Sequence, residues 1–262
     1  MDLSLIFIAA GISLIMAMAW LIQQMSKSSA LVDTLWTIAV GAGGIAAALL
    51  PGPGTVERRI AVGVLVAVWA IRLGLHIARR NASLDDDPRY AKLTRDWGKN
   101  APFFMFIFLQ IQALAAFILV LAVRLAAVNP AAFPSLQDIA GALILIASIA
   151  GEAVADAQLA QFGRTHKGGI CDVGLWQWSR HPNYFFEWLG WVGWAVIAID
   201  ATNAWTCLAL LAPAQMYYLL VYASGIPPLE QHMIATRGEP FRAYQARTSA
   251  FFPLPPKLES KG

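Results

Sequence analysis

An all-α polytopic membrane protein, with about seven transmembrane helices and a cytoplasmic C-terminal tail, is the architecture this sequence predicts. Two observations carry that expectation. Hydrophobic residues make up 58% of the 262 and charged residues only 13%, with a mean hydropathy of +0.57, whereas a soluble domain usually carries about 25% charge. The apolar residues are also gathered into runs at 2–25, 30–50, 60–79, 103–128, 137–162, 184–201 and 203–224, and about 20 such residues in a helix cross a bilayer core. The links are short except at 80–102 and 163–183, and no repeat or low-complexity segment interrupts them. The chain therefore reads as a single domain over 1–262, with no room for a sizeable soluble one.

The first run lacks a basic leader and a small-residue cleavage site, so it reads as a retained span. Lysine and arginine then set the orientation. Arg79, Arg80, Arg89, Lys92, Arg95 and Lys99 lie in the 79–101 segment, Arg164, Lys167 and Arg180 in the 163–182 loop, and Arg237, Arg242, Arg247, Lys257 and Lys261 in the tail. Only Arg58, Arg59 and Arg124 fall on the other side. That count puts the N-terminus outside and the C-terminus in the cytoplasm, with a bacterial inner membrane as the expected location. Basic loops of this kind account for the pI near 9.0 without a nucleic-acid partner. Cys171 and Cys207 give neither a disulfide framework nor metal-ligand spacing, and a monomer is expected.

Polar groups inside the runs are few. Asp33 stands alone in the second, three residues before Trp36; it is either an interfacial acid or a functional one. Arg72, His76 and Arg79 share one face of the third, where His76 reads as a satisfied interior histidine or as a catalytic one. Glu152 and Asp156, spaced i, i+4, sit near the carboxyl end of the fifth run, an end that prefers cations. Either nearby arginines or the hydroxyls of a ligand must compensate them.

The densest polar stretch is WQWSRHPNYFFEWLG at 176–190, where Arg180, His181, Pro182, Asn183, Tyr184 and Glu187 precede an apolar run. Pro182 disfavours helix at His181 and suits a first helical turn, so a polar loop turns here into a membrane helix. Asn183 and Glu187 then share a face at its entrance. An interfacial cap with aromatic anchors is the plain alternative to a functional carboxylate. After the seventh run Pro227-Pro228 should stop the helix. The tail beyond mixes Arg237, Arg242 and Arg247 with His232, Phe241 and Tyr244. Such a segment suits an interfacial amphipathic helix as well as phosphate binding and stacking on a flat base. A glycine-rich dinucleotide loop, a Walker-type loop, a His/Cys cluster and a nucleophile elbow are all missing from the sequence.

RHPNY with Glu187 three residues later resembles the motif shared by steroid 5α-reductases, sterol reductases and isoprenylcysteine carboxyl methyltransferases. VDTLW at 32–36, RRNASLDDDPRY at 79–90, GEAVADAQLAQF at 151–162, and SGIPPLEQHM through RAYQARTSAFFP at 224–253 narrow it. Together they resemble the bacterial branch of the steroid 5α-reductase family, over nearly the whole chain from about residue 26 and most densely in 140–256. The resemblance implies about seven helices, NADPH bound from the cytosolic side, and reduction of the C4–C5 double bond of a 3-oxo-Δ4-steroid or similar enone lipid. By the same resemblance Asp156 matches an acidic nucleotide-binding position, Asn183 and Glu187 flank the nicotinamide half, and Arg89 and Tyr90 match a polar arginine-tyrosine stretch. Arg80, Asn81, Arg164, Arg180, His181, Tyr184, His232, Arg237, Tyr244 and Arg247 fall in segments that imply further cofactor contacts.

The chain departs from the family in one respect. Animal enzymes polarise the steroid carbonyl with a Gln-Glu pair and a tyrosine of the third helix; here the third run has no tyrosine, and Trp69 takes its place. Asp33, Glu187 and His76 remain as the candidate catalytic groups, with Asp33 as the acidic member. A donor aimed at the developing enolate oxygen supplies a few kcal/mol, about 10²–10³ in rate. The alternative enzyme class is an S-adenosylmethionine-dependent methyltransferase of a prenyl or lipid acceptor. A transporter is disfavoured, because the intramembrane polar groups cluster toward one half of the bilayer.

Overall fold

The computed structural model describes residues 3–80 and 88–257. They form ten α-helices among the described residues and no strand beyond one isolated bridge. These are α1 (Leu3–Ser26), α2 (Val32–Leu49), α3 (Val56–Arg80), α4 (Pro88–Trp97), α5 (Ala101–Ala127), α6 (Leu136–Thr165), α7 (Pro182–Ala198), α8 (Leu211–Tyr218), α9 (Ile226–Arg237) and α10 (Glu239–Arg247). Six helical segments among the described residues are long and apolar enough to cross a membrane. The expected sixth of seven spans is α7; its 17 residues meet the lower limit of about 17–25 for crossing. The expected seventh is not one α-helix. It opens as a 3₁₀ segment over Ala204–Leu210, continues as α8, and widens into a π turn over Leu219–Ala223. Pro213 lacks the N–H that an unbroken ladder requires. Pro227 and Pro228, expected to stop a helix, instead occupy the first turn of α9, where a missing N–H costs nothing.

The described residues pack as two compact units, within 1–139 with 194–212 and within 140–193 with 213–262. In the first, α2 is the central helix and packs against α1, α3 and α5. Gly41 makes the α2–α3 approach possible, because a Cβ there would stand 2.5 Å from that of Ala70. Large apolar side chains such as Phe7, Leu14, Val64, Ile71 and Leu114 point outward, as lipid-facing residues do.

Of Arg58, Arg59 and Arg124, the first and last are buried and Arg59 is half-buried. Arg58 is 0% exposed. It donates to both oxygens of Asp138 (2.9 and 2.6 Å) and to the carbonyls of Asn129, Ala131 and Ala132 (2.5, 2.7 and 3.2 Å). Asp138 also closes a capping box with Ser135 at the start of α6: each backbone N–H donates to the other's side chain, at 2.8 and 3.1 Å. Arg124 donates to the carbonyls of Ala47, Leu50 and Pro51 (3.1, 2.7 and 2.6 Å), placing a cation on the carboxyl end of α2. The end of α7 is satisfied likewise, by the amides of Gln137 on Val196 and Ile199 and of Asn129 on Ile197. In hydrocarbon such orphan carbonyls have no water to turn to.

In the second unit α6 and α7 pack closely through small residues. A Cβ on Gly151 would overlap the Phe186 ring, and one on Gly190 would meet Ser148 Oγ at 2.8 Å. Ser148 in turn donates to the Phe186 carbonyl. This approach brings the carboxylates of α6 beside the polar entrance of α7.

Candidate functional site

Two polar clusters stand out, one in each unit. In the second unit α7 begins at Pro182, as the proline predicts. Asn183 on its first turn accepts from the Tyr184 N–H (3.0 Å) and donates to Asp156 Oδ1 of α6 (3.2 Å). Glu187, one turn deeper and buried, accepts from Trp191 Nε1 (2.9 Å). Glu152, one turn before Asp156, is buried too. The structure thus brings together Asp156 and Asn183, which the sequence could place only on separate helices. The site presents buried carboxylates and one amide, a set suited to hydroxyl and carboxamide groups.

The loop before α7 is held by the C-terminal helices. Arg180 donates to both oxygens of Glu230 on α9 (2.7 and 3.1 Å) and to the carbonyls of Gln245 and Thr248 (3.2 and 2.5 Å). His181 Nε2 lies 2.9 Å from Glu230 Oε1 and must donate, since the carboxylate only accepts. The His181 ring stacks on Tyr184, centroids 5.4 Å apart. Tyr244, on α10, donates its hydroxyl to the Trp176 carbonyl (2.5 Å), and burial pushes its pKa well up. Arg247 pairs with Asp172. Arg180, His181, Tyr244 and Arg247, expected as cofactor contacts, thus direct these polar groups at the protein itself. The expected cations that lie exposed are Arg164 and Arg237, with His232 also exposed. Arg237 lies over the turn after α6: its Nη1 is 3.5 Å from where a Cβ on Gly168 (φ 80°) would be.

Burial lowers the His181 pKa, and Glu230 opposes the shift without reversing it. A folded pKa below the unfolded value of about 6.5 gives stability that is present above it and lost as pH falls through the folded value. The melting temperature should therefore drop from about pH 7 to about pH 5, and His181→Gln should flatten that drop. Equal slopes in a thermal-unfolding series would remove His181 from the titration.

In the first unit, Asp33 on the first turn of α2 is bound by Arg89 Nη2 (2.5 Å) and by the Tyr90 hydroxyl (2.9 Å), both from α4. Gln112 of α5 donates to the Tyr90 hydroxyl (3.2 Å), and Trp36 Nε1 donates to the Gln112 carbonyl (3.3 Å). Tyr90 is buried, at 4% exposure. Arg89 and Tyr90, read from the sequence as cofactor contacts, here surround the candidate catalytic acid. Trp69 is buried on α3 and His76 is half-buried on it. Asn81 lies outside the described residues, as does the side chain of Arg80. Sequence reasoning missed Gln112, whose signal was a glutamine inside a long apolar run, and Glu230, which no local feature marked.

No three-residue group of His, Cys, Asp or Glu among the described residues could hold a metal ion. Fold and clusters together define an all-α polytopic membrane protein with buried polar sites at helix entrances. The chain belongs to the family DUF1295, described as a protein of unknown function, which it matches over residues 19–248. That match contains both clusters. No curated protein matches the chain, and no solved structure does.

Proposed function

We propose that this protein is an NADPH-dependent reductase of the steroid 5α-reductase type. It acts on the C4–C5 double bond of a 3-oxo-Δ4-steroid or similar enone lipid drawn from the bilayer. The observation that carries the reading is the Asn183–Asp156 pair at the entrance of α7, with buried Glu187 one turn deeper. It sets Asn183 of the RHPNY motif against Asp156, the acid that the resemblance matches to a nucleotide-binding position.

The residues present fit that cofactor chemically. Asp156 and Glu187 can accept from ribose hydroxyls and a carboxamide, and Asn183 can do either. Exposed Arg164 and Arg237 can meet phosphates. When bound, the cofactor supplies the hydride. The chain's own part is orientation, exclusion of water and polarisation of the carbonyl. For the last of these the candidate is Tyr90 of the first unit: its hydroxyl donates to Asp33, itself bound by Arg89, and would exchange that bond for one to a carbonyl oxygen. Its charge-stabilising donor is most effective where water is excluded, and Tyr90 is buried. We further place the N-terminus outside and the C-terminus in the cytoplasm of a bacterial inner membrane, with the protein acting as a monomer.

Thermal-shift titration of the detergent-solubilised protein tests the reading. NADPH should raise the melting temperature far more than NADH, because the exposed arginines can pair with a 2′-phosphate. Equal shifts with both would remove the 2′-phosphate argument. A shift with S-adenosylmethionine alone would make the protein a lipid methyltransferase.

A further inference from the structure

We infer that Glu230 is a positioning residue for the entrance of α7, acting through Arg180 and His181 on Tyr184 and Asn183. The inference rests on the reductase reading for the identity of the ligand, but not for the geometry. Glu230 is buried, and each of its oxygens accepts two hydrogen bonds. Oε1 takes Arg180 Nε (2.7 Å) and His181 Nε2 (2.9 Å); Oε2 takes Arg180 Nη2 (3.1 Å) and Gln245 Nε2 (2.7 Å). One carboxylate of α9 therefore fixes two consecutive residues before α7 and one residue of α10.

Those two residues are the ones whose backbone sets where α7 begins. The Phe185 N–H donates to the His181 carbonyl (3.1 Å), so His181 starts the ladder of the helix. The Arg180 N–H donates to the Ser249 carbonyl (2.8 Å), which ties the same point to the tail. Through the ring stack, the orientation of His181 also sets that of Tyr184. Asn183 lies between them and reaches Asp156. A shift of His181 thus moves Asn183 and Tyr184 together, although Glu230 touches neither in the described contacts.

Glu230→Gln keeps the shape and breaks the arrangement. The glutamine amide oxygen can still accept two bonds, but its NH₂ then faces two donors, whichever way it is turned. Charge-assisted bonds of this kind are the stronger class. Amide exchange at Tyr184–Phe186 should accelerate at least about tenfold, while that of α2 and α5 stays unchanged. Affinity for NADPH, read by isothermal titration, should fall about tenfold in Glu230→Gln. In an Asn183→Ala background the same substitution should cost less than about twofold, because the positioned group is already gone.

Unchanged exchange at Tyr184–Phe186 overturns the inference. So does an affinity loss of equal size in both backgrounds, which would make Glu230 a contributor independent of Asn183. If the wild type does not bind NADPH, the reductase reading falls, and the exchange measurement alone decides the positioning role. Should Glu230→Gln not fold, Gln245→Leu removes one of the four donors, so that the carboxylate is itself less firmly held against Arg180 and His181. It should accelerate the same amides about threefold, and no acceleration would again overturn the inference.

Discussion

Asp138→Ala should destabilise the protein by about 3–5 kcal/mol, the cost of leaving a buried charge uncompensated. Arg58 is fully buried and donates to both oxygens of that carboxylate, so its loss strands a guanidinium. The same substitution removes the capping box that starts α6, worth about 1 kcal/mol by itself. Asp138→Asn keeps part of the cap and should fall between Asp138→Ala and wild type. Replacing both residues, as Arg58→Met with Asp138→Leu, should recover only part of the loss. Buried pairs are often exchanged for apolar ones without cost, but here the carbonyls of Asn129, Ala131 and Ala132 also lose their donor. Denaturant unfolding in detergent, followed by tryptophan fluorescence, reads all four proteins. Asp138→Ala within about 1 kcal/mol of wild type would show that the pair is hydrated rather than buried.

Glu187→Ala and Asn183→Ala should each lower turnover of an enone steroid at least about tenfold while leaving the protein folded, one decade being about 1.4 kcal/mol. Glu187 is buried and held by Trp191, and Asn183 bridges to Asp156, so both are fixed before any ligand arrives. In the same assay Asp33→Asn should lower kcat and kcat/KM together, the pattern of an interaction made mainly in the transition state. Its affinity for NADPH should stay near wild type. Normal turnover in both α7 variants, or their simple failure to fold, would leave that stretch as a helix entrance and no more. Wild-type kinetics in Asp33→Asn would reduce the Asp33–Arg89–Tyr90 cluster to a tie between α2 and α4.

The helices were legible wherever the signal was local. Apolar runs located α1, α2, α3, α5 and α6 to within a few residues, and Pro182 marked the first residue of α7. The region after Ile199 was harder, because Pro213 and the pair Pro227-Pro228 can each end a helix or begin one, and only packing decides. The site divides the same way. That Asn183 and Glu187 share a face follows from spacing on one helix. The Asp33–Tyr90 contact spans 57 residues and the His181–Glu230 contact 49, so no window of sequence contains either. Arginines were the most misleading residues. A count of basic side chains treats Arg58, Arg164 and Arg180 alike, yet the first is sealed against an acid, the second is exposed, and the third is enclosed by the C-terminal helices.

The sealed arginine also sets an order of events during synthesis. Asp138 is made 80 residues after Arg58, an interval of roughly 4–16 s at about 5–20 residues per second. Throughout that time the N-terminal end of α3 carries a cation whose acid does not yet exist, and its three carbonyl acceptors follow it by 71, 73 and 74 residues. It must wait in water or among headgroups, since hydrocarbon gives an unpaired guanidinium nothing to bind. The first three helices can therefore enter the bilayer early, but they reach their final seating only when the loop ahead of α6 folds over Arg58. A ribosome stalled before residue 138 should hold a nascent chain whose position 58 is still open to a water-soluble thiol reagent when a cysteine replaces the arginine. Release of the full chain should close that position.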